Sequence, residues 1–257
     1  MAAVAYEEAG AGHPLLLVHA GIVDRHMWDR TWEALAAGYR VIRPDLRGFG
    51  ETPASRFPFS NWRDLADLLH SLEATPAHVV GVSNGAAASL DLALAEPGLV
   101  DRLVLVAPGL PGWDWAPQLR ADWEAEEAAW QRGDLDEVAW LNVRIWVDGP
   151  QRGGEAPAEV RQAVFDMYHH ALELQAVDGA VDPDPREPPA RDHLAEVSVP
   201  TLIVVGDLDQ PDMMAVGEHV TATISGAQLG TMHGVAHLPP MEAPAAFVDL
   251  VTGFLDQ

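Results

Sequence analysis

The stretch HVVGVSNGAAASLDLALAEP, residues 78–97, combines an apolar run, a glycine-bounded serine and a helix-like segment. Its centre, GVSNG (Gly81 to Gly85), matches the pattern G-x-S-x-G in the order strand, sharp turn and helix. In such a turn the hydroxyl of Ser83 lies at a helix N-terminus, where the helix dipole and free N–H groups favour negative charge. The pattern predicts that Ser83 is a nucleophile, and the alternative is an ordinary glycine-bounded turn.

Short apolar runs alternate with amphipathic stretches on both sides of this segment, which predicts βαβ units and a parallel sheet. The predicted strands are Leu15 to Val18, Tyr39 to Asp45, His78 to Val82, Arg102 to Ala107, Thr201 to Gly206 and a weak run near Ala227 to Gly230. The predicted helices are Met27 to Ala37, Asn61 to Ala74, Asn84 to Glu96, Pro211 to Thr221 and Ala243 to Leu255. The fold class is therefore α/β.

This rhythm breaks between Pro108 and Val199, where the chain is rich in Trp, Glu, Ala and Pro and offers no convincing strand. We expect a helical insertion at 109–196 and a core built from 1–108 and 197–257. Six tryptophans lie in its first half: Trp113, Trp115, Trp123, Trp130, Trp140 and Trp146. They could line an apolar pocket, and the alternative is ordinary packing of the helices.

A serine hydroxyl needs a positioned base, and histidine is the usual one because its pKa is near 6.5. Eleven histidines compete. His237 follows the last predicted strand and precedes the final helix, so it is the preferred base, with His233 as the rival. The i,i+4 spacing of this pair could suggest a metal site, but Gly234 and the Pro239-Pro240 pair argue against a helix there.

The base in turn needs an acid that orients it. Asp209 follows the predicted strand TLIVVG and gives the order nucleophile, acid, base along the chain. Its neighbour Asp207 competes, and Asp212 and Asp114 are further candidates. The alternative is that Asp209 is only a solvated turn residue, which is common in so acidic a chain.

Two backbone N–H groups should stabilise the negative charge that forms on the attacked carbonyl oxygen. We expect one from Asn84, which follows the nucleophile, and one from Gly21 in the loop after the strand LLLV. His19 in that loop is interpreted as a structural hydrogen-bonding residue.

The composition narrows the classes of partner. The formal net charge of −24 opposes binding to nucleic acid and to anionic membranes. The absence of cysteine excludes disulfides, thiolate metal sites and a cysteine nucleophile. We expect neither a metal nor a cofactor. The first residues do not resemble a secretory signal, so a cytoplasmic location is expected. The sequence leaves open whether the protein forms a homodimer.

Taken together, these motifs resemble the α/β-hydrolase superfamily over nearly the whole chain. The segments LLLVHAG (15–21), PDLRGFGET (44–52), PTLIVVGDLD (200–209) and VAHLPPMEAP (235–244) resemble its oxyanion, turn, acid and histidine motifs. Ala20 and Ala236 stand where many relatives have glycine. The resemblance implies a mostly parallel central sheet flanked by helices, with the insertion as a helical cap.

The resemblance further implies a serine hydrolase that acts on a small-molecule ester or lactone through an acyl-enzyme. Carbon-carbon hydrolysis of a vinylogous diketone by the same triad is the alternative within the superfamily. A non-catalytic ligand-binding protein of the same fold is the alternative outside catalysis, because a fold alone does not establish activity.

Overall fold

Seven strands form one sheet in the computed structural model, which describes residues 4–257. In chain order they are β1 (Tyr6–Ala9), β2 (His13–Val18), β3 (Tyr39–Pro44), β4 (Ala77–Val82), β5 (Val100–Val106), β6 (Thr201–Gly206) and β7 (Gln228–Met232). Their spatial order is β1-β3-β2-β4-β5-β6-β7, with β1 antiparallel to β3 and all other neighbours parallel. The predicted α/β fold with a mostly parallel sheet is confirmed.

Helices flank this sheet and connect its parallel strands. They are α1 (Asp29–Ala36), α2 (Asn61–Ser71), α3 (Asn84–Ala95), α4 (Pro117–Gln131), α5 (Leu135–Asn142), α6 (Ala158–Gln175), α7 (Pro211–Thr223), α8 (Pro239–Glu242) and α9 (Pro244–Leu255). Helix α3 packs on β4 and β5, α7 packs on β6, and α1 packs against α9. Within residues 4–257, every helix is too short or too polar to span a membrane.

The strands at the centre of the sheet are buried over most of their length. Every residue of β4 and β6 is buried, and Leu15 to Val18 of β2 have no exposed surface. This explains why these strands read as continuous apolar runs, since a parallel sheet has both faces covered by helices. The carboxyl ends of β2, β4, β5 and β6 meet along one edge, where the candidate site lies.

The segment between β5 and β6 is helical. It contains α4, α5, a π-helix over Val143–Asp148 and α6, and the described residues form no strand there. Helix α5 packs against both α4 and α6. The division of the chain into a core and a separate cap domain stays a prediction.

Asp91 of α3 carries a carboxyl group whose burial raises its pKa from the ordinary 3.8 to about 6. Because the folded pKa lies above the unfolded one, the folded protein loses stability as the pH rises from about 4 through about 6. Asp91→Asn should not lose stability over this interval, because its amide does not titrate. We expect its Tm advantage over the wild type to grow across that interval and to stay constant above pH 7.

Thermal melts from pH 4 to pH 8 measure this advantage. Asp67→Asn, at an exposed position of α2, is the matched control and should follow the wild-type profile. A Tm difference for Asp91→Asn that does not change with pH would contradict the assignment.

Candidate active site

Ser83 occupies a strained turn between β4 and α3. Its φ of 55° and ψ of −113° are rare for a residue with a side chain. The turn is held by the Ser83 N–H, which donates to the Val106 carbonyl at 2.8 Å, and by the Ser83 carbonyl, which accepts from the Gly109 N–H at 3.1 Å. The backbone of β5 and the loop after it therefore fix the serine at the carboxyl edge of the sheet.

Two glycines make this turn possible. A Cβ atom on Gly81 would collide with the Gly85 carbonyl oxygen and lie only 2.5 Å from the Ser89 hydroxyl. A Cβ atom on Gly85 would collide with the carbonyls of Val18 and His19 at the end of β2. The glycine requirement of the motif thus comes from close packing of the turn against its own helix and against β2.

Asp209 and His237 form a buried pair at the end of β6. The His237 Nδ1 lies 2.8 Å from the Asp209 Oδ2, and His237 and Asp209 are 1% and 3% exposed. The other oxygen of Asp209 accepts the Gln210 N–H at 2.7 Å. An Nδ1–H that donates to the carboxylate leaves Nε2 free to accept a proton, which is the tautomer that a general base requires.

The rival residues form a separate pair at the surface. The His233 Nδ1 lies 2.8 Å from the Asp207 Oδ2, and the side chain of His233 is 84% exposed. The hydrogen bond from His233 holds the pKa of Asp207 below its usual value. Asp212 accepts a backbone N–H and Asp114 forms an exposed ion pair, so neither acid binds His237. His233 and His237 thus bind different carboxylates and do not converge on one ion.

The π-helix of the insertion packs directly on the histidine loop. The indole of Trp146 lies 4.4 Å from the imidazole of His237 between ring centroids. The backbone carbonyl of Trp146 accepts the backbone N–H of His237 at 3.3 Å. The side chain of Gln210 donates to the Ile145 carbonyl at 2.8 Å. These contacts hold the imidazole between Asp209 and the insertion.

Glu242 braces the same loop from the other side, and sequence reasoning missed it. Its carboxylate accepts the backbone N–H groups of Ala236 at 3.0 Å and Leu238 at 3.2 Å, the two neighbours of His237. It also forms an ion pair with Arg152, which donates to carbonyls of the π-helix. The only available signal was an acid inside the otherwise apolar segment VAHLPPMEAP.

With His237 as the predicted base, we expect Glu242→Ala to lower kcat by about 10- to 100-fold, because displacing the base by about 1 Å would cost up to that factor. Glu242→Gln should recover part of the rate, since its amide oxygen still accepts one loop N–H. A larger change in kcat than in KM, in a variant whose Tm equals that of the wild type, would identify a positioning role.

Glu137→Gln is the matched control for Glu242, because Glu137 forms only an exposed ion pair with Arg144. It should leave kcat unchanged. An unaltered kcat in Glu242→Ala would contradict a role in positioning His237.

The two predicted oxyanion residues lie side by side. A Cβ atom on Gly21 would lie 3.3 Å from the Cβ of Asn84. Asn84 is the first residue of α3, so its N–H has no acceptor within the helix. Nearby, His19 accepts the Leu46 N–H at 2.9 Å, in keeping with the structural role predicted for it. The oxyanion assignment itself stays a prediction.

A cavity of about 630 Å³ lies between the loop after β3 and the insertion helices α4 and α6. Asn84 forms part of its wall, so the cavity reaches the turn that carries Ser83. Ser83, Asp209 and His237 are not themselves part of the wall. The wall also includes five aromatic residues: Phe49, Phe59, Trp123, Trp130 and Tyr168.

The six insertion tryptophans take different positions. Trp123 and Trp130 line the cavity, whereas Trp140 stacks on Phe165 at 4.6 Å and Trp146 contacts His237. Some of these tryptophans therefore line the cavity and others pack between helices. Only the three-dimensional packing of α4, α5 and α6 separates them.

The chain is similar to proteins of known family and known structure. A profile described as the Alpha/beta hydrolase family matches residues 15–250. The 2-hydroxymuconate semialdehyde hydrolase of Pseudomonas sp. is 29% identical, over 96% of this chain and 88% of that protein. The 3-oxoadipate enol-lactonase 1 of Acinetobacter baylyi is 25% identical, over 90% and 84%. A solved hydrolase from Pseudomonas aeruginosa has a TM-score of 0.79 at 30% identity, over 99% and 94%.

Proposed function

The chain belongs to the alpha/beta hydrolase family, and on that premise we propose that it is a serine hydrolase that cleaves a carboxylic ester or lactone of a small metabolite. The observation that carries this proposal is the buried hydrogen bond between Asp209 and His237. It lies at the end of β6, two strands from the one that ends at Ser83. A paired acid and base at the same edge of the sheet as a strained serine fits the arrangement used for acyl transfer.

The proposed reaction has two stages. The Ser83 Oγ attacks the carbonyl carbon while the Nε2 of His237 takes its proton, and Asp209 stabilises the resulting imidazolium. The N–H groups of Gly21 and Asn84 stabilise the oxyanion. His237 then gives the proton to the departing oxygen, and an acyl-enzyme remains. Water, activated by the same histidine, releases the acid and restores Ser83.

Carbon-carbon hydrolysis is the second candidate, because the 2-hydroxymuconate semialdehyde hydrolase is at least as similar to this chain as the enol-lactonase. The same serine, histidine and aspartate would serve both reactions. Parallel assays with p-nitrophenyl esters, lactones and a vinylogous diketone separate the two. Turnover of the diketone alone would overturn the ester proposal.

The charge of the cavity bears on the acyl group. Among residues 4–257, its wall carries three acidic residues, Glu126, Glu127 and Asp182, and one cation, Arg47. The Arg47 guanidinium is already bound to Asp64, at 2.6 and 2.9 Å. An anionic acyl chain would therefore meet uncompensated negative charge. We propose that the enzyme prefers uncharged acyl groups, which the hydrolysis of paired esters with and without a terminal carboxylate tests.

We expect Trp123→Ala and Trp130→Ala to raise KM for long or aromatic acyl groups and to leave short esters nearly unaffected. Losing ~100 Å² of indole contact at about 25 cal/mol per Å² weakens binding by about 2.5 kcal/mol, or roughly 60-fold. Steady-state kinetics over a series of acyl lengths measures this.

Trp140→Ala is the matched control for these two variants, since Trp140 stacks on Phe165 in the packing of α5 and α6. It should lower Tm and preserve the acyl-length preference. If the two cavity variants behaved as Trp140→Ala does, the cavity would not be the acyl pocket.

A further inference from the structure

Three residues with metal-binding side chains converge at the amino ends of neighbouring strands. His13 begins β2, His78 lies at the second position of β4 and Asp101 at the second position of β5. In the sheet, β4 lies between β2 and β5. Because these strands are parallel, the cluster occupies the edge opposite the one that carries Ser83 and His237.

The donor atoms of this cluster lie close together. The His13 Nε2 and the His78 Nδ1 lie 3.5 and 3.4 Å from the same oxygen, the Oδ2 of Asp101. All three donor atoms lie within 4.8 Å of one another. The imidazole rings of the two histidines are 4.1 Å apart between centroids.

Both of these nitrogens are buried, and neither has a hydrogen-bond partner among the described residues. The His13 Nε2 and the His78 Nδ1 are shielded from solvent, and His78 as a whole is only 6% exposed. A buried polar atom without a partner costs about 1–3 kcal/mol, so such atoms need an explanation. Their approach to the Asp101 carboxylate does not provide a hydrogen bond.

We propose that His13, His78 and Asp101 bind a divalent transition-metal ion, with zinc as the best match. Imidazole and carboxylate ligands suit zinc, whose bonds to them are about 2.0–2.2 Å long. The ligand atoms of a tetrahedral site with such bonds lie roughly 3.3–3.5 Å apart. The two nitrogen-to-oxygen distances agree with that edge length. Three protein ligands leave a fourth position for water.

Charged groups of both signs lie around this cluster. An imidazole binds a metal ion in its neutral form, and the Asp101 carboxylate supplies negative charge at the centre of the cluster. Arg102 adds positive charge near His78 and Asp256 adds negative charge, and the Tyr39 hydroxyl donates to Asp256 at 2.5 Å. Asp101 is half exposed, which gives the ion a route from solvent.

A bound ion would cross-link three central strands and stabilise the fold, independently of the proposed function. Positions 13, 78 and 101 are too scattered for any sequence motif to indicate the site. Only the parallel sheet brings them together.

The test is a Zn²⁺ titration of chelator-stripped protein in competition with a chromophoric chelator. We expect one ion per chain in the wild type, and binding weakened at least tenfold in Asp101→Asn and in His13→Gln. Zn²⁺ should raise the Tm of the wild type and not that of these variants. Both positions are partly exposed, so these variants should fold even if His78→Gln does not.

His193→Gln is the matched control, because His193 forms a surface pair with Glu196 at 2.6 Å. It should bind Zn²⁺ as the wild type does. Equal Zn²⁺ affinity in the wild type and in the His13→Gln and Asp101→Asn variants would overturn the proposal, as would a wild type that binds no stoichiometric ion. Neither result would touch the hydrolase proposal, which depends on the opposite edge of the sheet.

Discussion

Replacing Ser83 by alanine is expected to lower kcat for ester hydrolysis by about 10⁵-fold or more, because the variant has no nucleophile to form the acyl-enzyme. The fold should persist, since the turn is held by backbone hydrogen bonds and by the packing of Gly81 and Gly85. Steady-state kinetics and a thermal melt on the same preparation measure both quantities.

Ser71→Ala is the control for general effects of losing a hydroxyl, because Ser71 lies at the end of α2 and bonds only the Leu68 carbonyl. It should retain wild-type kcat. Near-normal hydrolysis by purified Ser83→Ala would exclude the acyl-enzyme mechanism.

Replacing Asp209 by asparagine should reduce kcat by about 10⁴-fold while leaving the shape of the site unchanged. The amide cannot stabilise an imidazolium, and its NH₂ group favours the wrong histidine tautomer. Because Asp209 is 3% exposed, water cannot replace the lost charge. Kinetics at saturating substrate measure the loss.

Asp207→Asn provides the matched comparison, two residues away and also hydrogen-bonded to a histidine, but at the surface. It should change kcat by less than about threefold, in the range expected for exposed pairs. If the two effects were reversed, His233 and Asp207 would be the catalytic pair.

The sequence predicted the strands of the sheet well where burial is complete. The apolar runs from Leu15, His78 and Thr201 all form strands, because a strand covered on both faces must be apolar throughout. The strand Tyr6–Ala9 was missed, since YEEA is short, half exposed and paired only at the sheet edge. Such a strand carries no apolar run to detect.

The turn at Ser83 was predictable because its motif restricts the backbone, whereas the contacts that depend on packing were not. The G-x-S-x-G turn fixes Ser83 and its glycines by steric exclusion. Position along the chain favoured Asp209 and His237, with Asp207 and His233 as the nearby rivals. Burial in the structure favours the first pair over the second. The contacts of Trp146 and Glu242 depend on how the insertion and the histidine loop meet, which no local pattern records.

Labelling with a small fluorophosphonate, followed by mass spectrometry of the digested protein, tests the central claim most directly. The proposed mechanism predicts one adduct per chain, on the peptide that contains Ser83, no adduct in Ser83→Ala and much slower labelling in His237→Asn. An adduct on another residue, or equal labelling of wild type and Ser83→Ala, would contradict it.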